Sequence, residues 1–328
     1  HERIATAVAV RPPAESLHQM IQYHLGLLDA HFRPTQPSGG KLLRPNLCLL
    51  CAEAVGADPF TALDAAAALE LLHNFTLIHD DIEDRSPTRR HRATVWHLWG
   101  EALAINVGDA LHVQAQLALL QAHESHPAEI VLTAARLLDE CCLAITEGQQ
   151  LDLSFETRLD VTVPEYLAMI ARKTARLLGC AAQLGAWFGA HDAMLAEGYR
   201  RFGEALGLAF QVRDDILGIW GDPAQTGKPA ADDLYKRKKT LPVIMALERA
   251  APTERALLTA IYQSKEIGPA EVAAIIGVLD RLDVRAAAEE VAARYTAEAL
   301  ATLESLAPHE PAASALVALT GLLQTRQS

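Results

Sequence analysis

Two acidic clusters interrupt a chain that otherwise reads as helix after helix: Asp80-Asp81-Ile82-Glu83-Asp84 and Asp214-Asp215-Ile216-Leu217-Gly218. Each follows an apolar run with helical spacing, where a carboxylate is costly unless it meets a cation or another partner. Asp80 and Asp84 stand at i and i+4, so on a helix their side chains share one face, about 5–6 Å apart at Cβ. That spacing suits one or two hard divalent cations, and Mg²⁺ generally shares its protein carboxylates with substrate phosphates and water. A single acidic cluster is most often a solvated helix end. Two of them, each with a basic segment downstream, point to a metal–diphosphate site.

The rest of the pattern is consistent with an all-α fold. Of 328 residues, 50% are hydrophobic but only 5% aromatic, and the dominance of Ala and Leu favours helix over sheet. An amphipathic helix is predicted over 16–32, followed by a loop over 34–40. The next helix is expected to open with Pro45 as its first residue and to be closed by Gly56. A long helix over 61–84 ends in the first acidic cluster and is terminated by Pro87. Further helices are expected at about 95–123, 127–152, 164–188, 193–218 and 240–250, with several in the last 75 residues. The Gly-, Pro- and Ala-rich stretch 221–232 is a candidate functional loop. No low-complexity linker or short-period repeat marks a boundary, so the expectation is one all-α domain over residues 1–328.

Charge and cysteine usage exclude several function classes. The net charge of −12, from 41 acidic and 29 basic residues, argues against general nucleic-acid binding and against attraction to anionic lipid. No run of 18 or more apolar residues is present, so no membrane span is expected, and the N-terminus lacks a signal-peptide pattern. The five cysteines, Cys48, Cys51, Cys141, Cys142 and Cys180, are odd in number and irregularly spaced. That argues against a disulfide framework and suits a reducing compartment, with a cytoplasmic location as the expectation. Cys48 and Cys51 form a C-x-x-C, but within an apolar helical stretch and with no matching second pair. Core packing explains them better than zinc.

Basic residues nevertheless concentrate where an anion site needs them. Lys41 and Arg44 directly precede a helix start, whose free N–H groups favour phosphate. Arg89-Arg90 follow the first cluster closely enough to reach metal-bound phosphate oxygens. Lys173-Thr174 lie within an apolar helix, where a lysine needs a partner. Gln211 lies one turn before Asp214-Asp215, and Lys228 and Lys238 flank the loop after them.

These stretches resemble the trans-isoprenyl diphosphate synthases, the polyprenyl synthetase family. The resemblance is carried by Gly39–Pro45, His73–Thr94, Asn106–Ala110, Gly148–Leu153, Lys173–Ala175 and Phe210–Pro242, in the family's order. It implies an isoprenoid-synthase-type helical bundle around a central cavity, with the two acidic clusters facing each other across its mouth. By that resemblance Asp80, Asp84 and Asp214 hold two or three Mg²⁺ ions on the allylic diphosphate, with Asp81 and Asp215 in support. Arg89, Lys173, Lys228 and Lys238 neutralise that diphosphate, while Thr174 and Gln211 line the path of the allylic cation. Lys41, Arg44, His73 and Arg90 bind the second substrate, isopentenyl diphosphate, and Gln149 and Asp152 form a supporting polar pair. Phe75 and Thr76, about one turn before Asp80, resemble the length-setting positions of short-chain synthases that make geranylgeranyl diphosphate, with farnesyl diphosphate as the alternative product. The allylic primer would be dimethylallyl, geranyl or farnesyl diphosphate, and the enzyme a homodimer.

The chemistry fits such a set. Ionising an allylic C–O bond expels diphosphate, so positive charge must gather on the leaving group. The cation left behind must meet the isopentenyl double bond before water does, which calls for a dry apolar cavity. No Ser-His-Asp or Cys-His arrangement is needed. Two departures stand out: Gly218 where the family's second cluster usually ends in Asp, and His91 where a Gly usually follows the arginine pair. A class I terpene cyclase would bind only one diphosphate, and a non-catalytic partner subunit would be expected to lose metal ligands. The second anion site and the retained clusters argue against both.

Overall fold

Proline and glycine punctuation, rather than changes in hydrophobic pattern, decides where the helices start and stop. The computed structural model describes residues 1–35, 42–222 and 231–324, and these form two compact units. The first comprises His1–Cys142, Cys180–Glu197 and Pro308–Ala312; the second comprises Leu143–Gly179, Gly198–Ala307 and Ala313–Ser328. The helical expectation holds. The only strands among the described residues are the two short arms of one hairpin.

In the first unit, α1 (Glu2–Ala7), α2 (Glu15–His24) and α3 (Leu43–Ala54) precede the long α4 (Leu63–Glu83). The hairpin β1 (Thr88–Arg89) and β2 (Arg92–Ala93), then α5 (Val95–Trp99), α6 (Glu101–Leu120) and the first half of α7 (Ala128–Phe155) follow. Ala65 to Leu69, Leu71 and Leu72 of α4 are all buried, so this helix is buried on most of its sides through its first half. It packs along α6. The helix starts after a 3-10 turn, Pro59–Ala62, whose Asp58 carboxylate accepts from the Phe60 N–H at 2.9 Å. It ends where Arg85 turns to φ 50°, two residues ahead of Pro87.

Two predicted helices prove shorter. α2 stops at His24, not Phe32, because Gly26 takes φ 78° and builds a C-terminal cap. The Leu27 N–H donates to the Gln22 carbonyl and the Gly26 N–H to that of Tyr23, both at 2.9 Å. The apolar residues beyond it, Leu27 and Leu28, pack from an irregular segment. The predicted helix over 95–123 is broken at Gly100, whose φ 89° and ψ 160° no helix admits.

The second unit holds the rest of α7, α8 (Val163–Ile170), most of α10 (Ala193–Trp220), and α11 (Asp232–Tyr235) to α15 (Val284–Ser305). Between these last two come α12 (Leu241–Arg249), α13 (Pro252–Gln263) and α14 (Pro269–Arg281); α16 (Ala312–Gln324) closes the described chain. α8 begins at a capping box in which Thr162 and Glu165 each accept from the other's backbone N–H. It does not run on unbroken into α9 (Arg176–Ala190): residues Ala171–Ala175 form a π-helical turn. The core gathers Tyr166, Met169 and Ile170 with Val212, Ile216 and Ile219 of α10 and Leu241, Val243 and Ile244 of α12. No helix among the described residues is long and apolar enough to cross a membrane. All five cysteines are buried and none is in a disulfide, as expected of core thiols.

Candidate active site

The C-terminal end of α4 and the hairpin after it carry the first group of site residues. The α4 periodicity that buries Asp81, 2% exposed, leaves Asp80 partly open and Asp84 exposed at the helix end. The hairpin returns Arg89 onto this end. Its Nε donates to Asp81 Oδ1 at 2.8 Å and its Nη2 to Asp80 Oδ2 at 3.2 Å. Arg89 therefore ties a carboxylate of the expected metal pair to its neighbour. Burial pushes the Asp81 carboxyl up to about 6, although the Arg89 guanidinium opposes the shift. Asp81 is thus an anchor for Arg89.

Above the first cluster on α4, a second group of polar residues gathers. His73 is surrounded by positive charge: burial foremost, then Arg44, Arg90 and Arg89, hold its imidazole well below the usual histidine range. Burial also lowers Arg44, to about 10, against the attraction of Glu70. The Nε of Arg44 is enclosed and has no hydrogen-bond partner among the described residues. Three of the four residues expected to bind the second diphosphate are thus close enough to repel one another. Lys41 lies outside the described residues.

Sequence reasoning missed three members of this group. Glu70, 5% exposed, offsets part of the charge of Arg44 and Arg90. Buried Asn74 donates to its Oε1 at 2.9 Å. His24, at the end of α2, is lowered to about 3 by burial and by Arg90, Arg89 and Arg92, against a hydrogen bond with Asn74, and its Nε2 is enclosed with no hydrogen-bond partner among the described residues. A buried Glu on an apolar helix was a visible signal. The position of His24 was not, because it depends on where α2 stops.

Phe75 stacks on His112 of α6, with ring centroids 5.1 Å apart and planes inclined by 27°, and meets the His79 ring edge-on at 4.9 Å. Thr76 donates its hydroxyl to the His73 carbonyl at 2.8 Å.

The second unit carries the other group. Gly148 of α7 and Gly207 of α10 let those helices approach the π turn. A Cβ at 148 would lie 2.3 Å from the Lys173 nitrogen, and one at 207 would lie 2.5 Å from Ala175 Cα. The turn presents Lys173 to Asp152, with Nζ 2.5 Å from Oδ2. This is the partner a lysine in an apolar helix requires. Gln149 is half-buried one turn before Asp152 on α7. Thr174 donates to Gln211 Oε1 at 2.9 Å, and Gln211 Nε2 donates to Asp215 Oδ1 at 2.9 Å. The other oxygen of Asp215 accepts from Tyr166 Oη at 2.6 Å and from the Leu241 N–H at 3.2 Å. Burial raises Asp215 to about 7 despite these bonds. With both oxygens engaged, Asp215 holds the α8–α10 contact, while the adjacent Asp214 is half-exposed. Tyr166 was not foreseen from the sequence.

The two adjoining lysines after α11 divide their tasks. Lys239 donates to the carbonyls of Phe155, Glu156 and Arg158 at 2.5–2.6 Å, capping the end of α7. Lys238 has an exposed side chain. Lys228 and most of the predicted functional loop lie outside the described residues.

Hard oxygen donors at i and i+4 on α4, and again at Asp214, match Mg²⁺ in kind. Among the described residues no three Asp, Glu, His or Cys side chains converge closely enough to enclose an ion. A cation here would need further oxygens from phosphate and water.

Residues 27–279 match the polyprenyl synthetase family pattern. The chain is 38% identical over 301 residues to a (2E,6E)-farnesyl diphosphate synthase of Mycobacterium bovis, covering 90% of this chain and 83% of that protein. It is 44% identical over 258 residues to a geranylgeranyl diphosphate synthase of Mycobacterium tuberculosis, covering 78% and 72%. Among solved structures, a polyprenyl synthetase of Streptomyces coelicolor superposes with a TM-score of 0.90 at 37% identity, over 98% of this chain and 95% of that one. The chain belongs to the polyprenyl synthetase family of trans-prenyltransferases.

Proposed function

We propose that this enzyme condenses isopentenyl diphosphate with an allylic diphosphate, head to tail, in a Mg²⁺-dependent reaction whose main product is geranylgeranyl diphosphate. The observation that carries the reading is the presence, on α3, α4 and the hairpin after α4, of two separate groups suited to anions. One is Asp80 and Asp84 with Arg89; the other is Arg44, His73 and Arg90. A single-substrate cyclase has no use for the second.

Asp80, Asp84 and Asp214 would hold Mg²⁺, which when bound neutralises the allylic diphosphate as it leaves. Arg89, Lys173, Lys228 and Lys238 add positive charge at the same group. Arg89 would reach the substrate by giving up its bond to Asp80. Lys41, Arg44, His73 and Arg90 hold the isopentenyl diphosphate. Thr174 and Gln211, already hydrogen-bonded to each other, offer lone pairs rather than full charge to the allylic cation. The released diphosphate is the base that removes the final proton. Phe75, stacked on His112, supports a steric stop suited to a short-chain product. Farnesyl diphosphate is the second reading, supported by the likeness to a farnesyl diphosphate synthase. The exposed Val113, Leu117 and Leu120 on one stripe of α6 support a homodimer.

The test is to incubate the purified protein with dimethylallyl, geranyl or farnesyl diphosphate, with and without isopentenyl diphosphate, and to size the products. Elongation only when both substrates are present supports the reading; a product from the allylic substrate alone would indicate a cyclase. Asp80→Ala and Asp84→Ala should each lower turnover by roughly 10²–10³-fold, the scale of losing one transition-state charge contact. Full activity in EDTA would overturn the metal assignment. Arg44→Ala should chiefly raise KM for isopentenyl diphosphate.

A further inference from the structure

Gly218 is where this chain departs from its family's second acidic cluster, and its surroundings explain the departure. A Cβ built on Gly218 would lie 1.8 Å from Asp233 Oδ2 and 2.6 Å from Asp233 Cγ. The space where a side chain at 218 would begin is already filled by the carboxylate of Asp233, which reaches it from α11. Positions 214 and 218 are i and i+4 on α10, so they share a face about 5–6 Å apart at Cβ. The Asp233 carboxylate therefore lies on the face of α10 that carries Asp214, one turn further along. Its charge is also felt at Tyr166, the residue that donates to Asp215, and at Tyr262. The Lys238 N–H donates to the Asp233 carbonyl at 2.9 Å, which fixes the short turn carrying it.

We infer that Asp233 supplies the second acidic cluster with the carboxylate that position 218 lacks, as a positioning residue for the cation–diphosphate pair. The inference rests on the proposed role of Asp214. Asp215 cannot take this part, since both its oxygens are engaged by Tyr166, Gln211 and Leu241. The face then presents two carboxylates, Asp214 and Asp233, borne by different elements. Glycine at 218 is the condition for this arrangement: any Cβ there must displace the Asp233 carboxylate.

Binding of inorganic diphosphate to the full chain, measured by calorimetry with and without Mg²⁺, tests the inference. Asp233→Asn keeps the shape and removes the charge. It should weaken Mg²⁺-dependent binding by roughly tenfold or more, the scale of losing an outer partner of a metal site, and leave Mg²⁺-free binding unmoved. Gly218→Ala places a better helix former at 218 but pushes the carboxylate aside, so it should weaken binding to a similar degree. The double variant Gly218→Ala/Asp233→Asn should be no worse than either alone. A loss in Asp214→Ala with none in Asp233→Asn overturns the inference and leaves the proposed function standing. No loss in Asp214→Ala overturns the assignment of the cluster itself. A loss in Asp233→Asn that Gly218→Ala does not share, or a loss equal in the absence of Mg²⁺, also overturns it.

Discussion

His24 stays neutral among arginines because burial and the fields of Arg90, Arg89 and Arg92 all oppose its protonation. Its imidazole titrates near 3 in the folded protein, against 6.5 ordinarily. Between these values the unfolded chain takes up a proton that the native state refuses. Stability linked to His24 is therefore fully present above about 6.5 and is lost as pH falls toward 3. His24→Asn should remove that component. Between pH 6.5 and 5 the wild type should lose up to about 2 kcal/mol more than the variant, at about 1.4 kcal/mol per pH unit, as read from urea midpoints. Equal losses would mean that His24 protonates in the folded protein. Residues of this kind also mark how far the sequence could be read. Asp80, Asp84, Arg89 and Lys173 were legible because each lies in a local pattern with its own chemical logic. Glu70, Asn74, His24 and Tyr166 acquire their roles from partners on other elements or from a helix end, which single-sequence spacing does not reveal.

At the scale of elements, the π turn at Ala171–Ala175 is the feature that orients Lys173 and Thr174, and such turns recur at functional sites. Its position was not predictable from periodicity, since the apolar pattern runs unbroken from α8 into α9. The glycines that admit it, Gly148 and Gly207, were visible but could not be assigned a packing role without their neighbours. Gly148→Ala and Gly207→Ala should each destabilise the fold by about 1–3 kcal/mol, measured by denaturant unfolding. Each should also lower turnover by up to roughly 10²-fold, since a displacement near 1 Å is enough to misplace reacting groups. Wild-type activity in both variants would show that the turn tolerates a shift. The longer helices were read from the sequence, but the short α1 and α11 were not, and α2 and the 95–123 segment were overextended. In both, a glycine with positive φ ends a helix whose hydrophobic pattern continues beyond it.

For the molecule as a whole, the outcome that matters is the length of the chain it makes. If the stack of Phe75 on His112 is the steric stop, Phe75→Ala should shift products to longer prenyl chains, resolved by chromatography after dephosphorylation. An unchanged distribution would place the stop elsewhere. A different consequence follows from the thiols. Cys48, Cys51, Cys141, Cys142 and Cys180 are all buried, and all fall in the first compact unit. Burial raises the thiols of Cys48 and Cys51 and brings that of Cys142 to about 11, and only the thiolate reacts readily with alkylating reagents. The native chain should thus resist alkylation until that unit opens, which makes its own cysteines a clock for one half of the molecule. Labelling that keeps pace with the loss of far-UV ellipticity in denaturant means that the chain melts as one cooperative body. Labelling that runs ahead of it means that the unit bearing the first acidic cluster opens alone, and that an alkylating reagent could silence the enzyme without unfolding the rest.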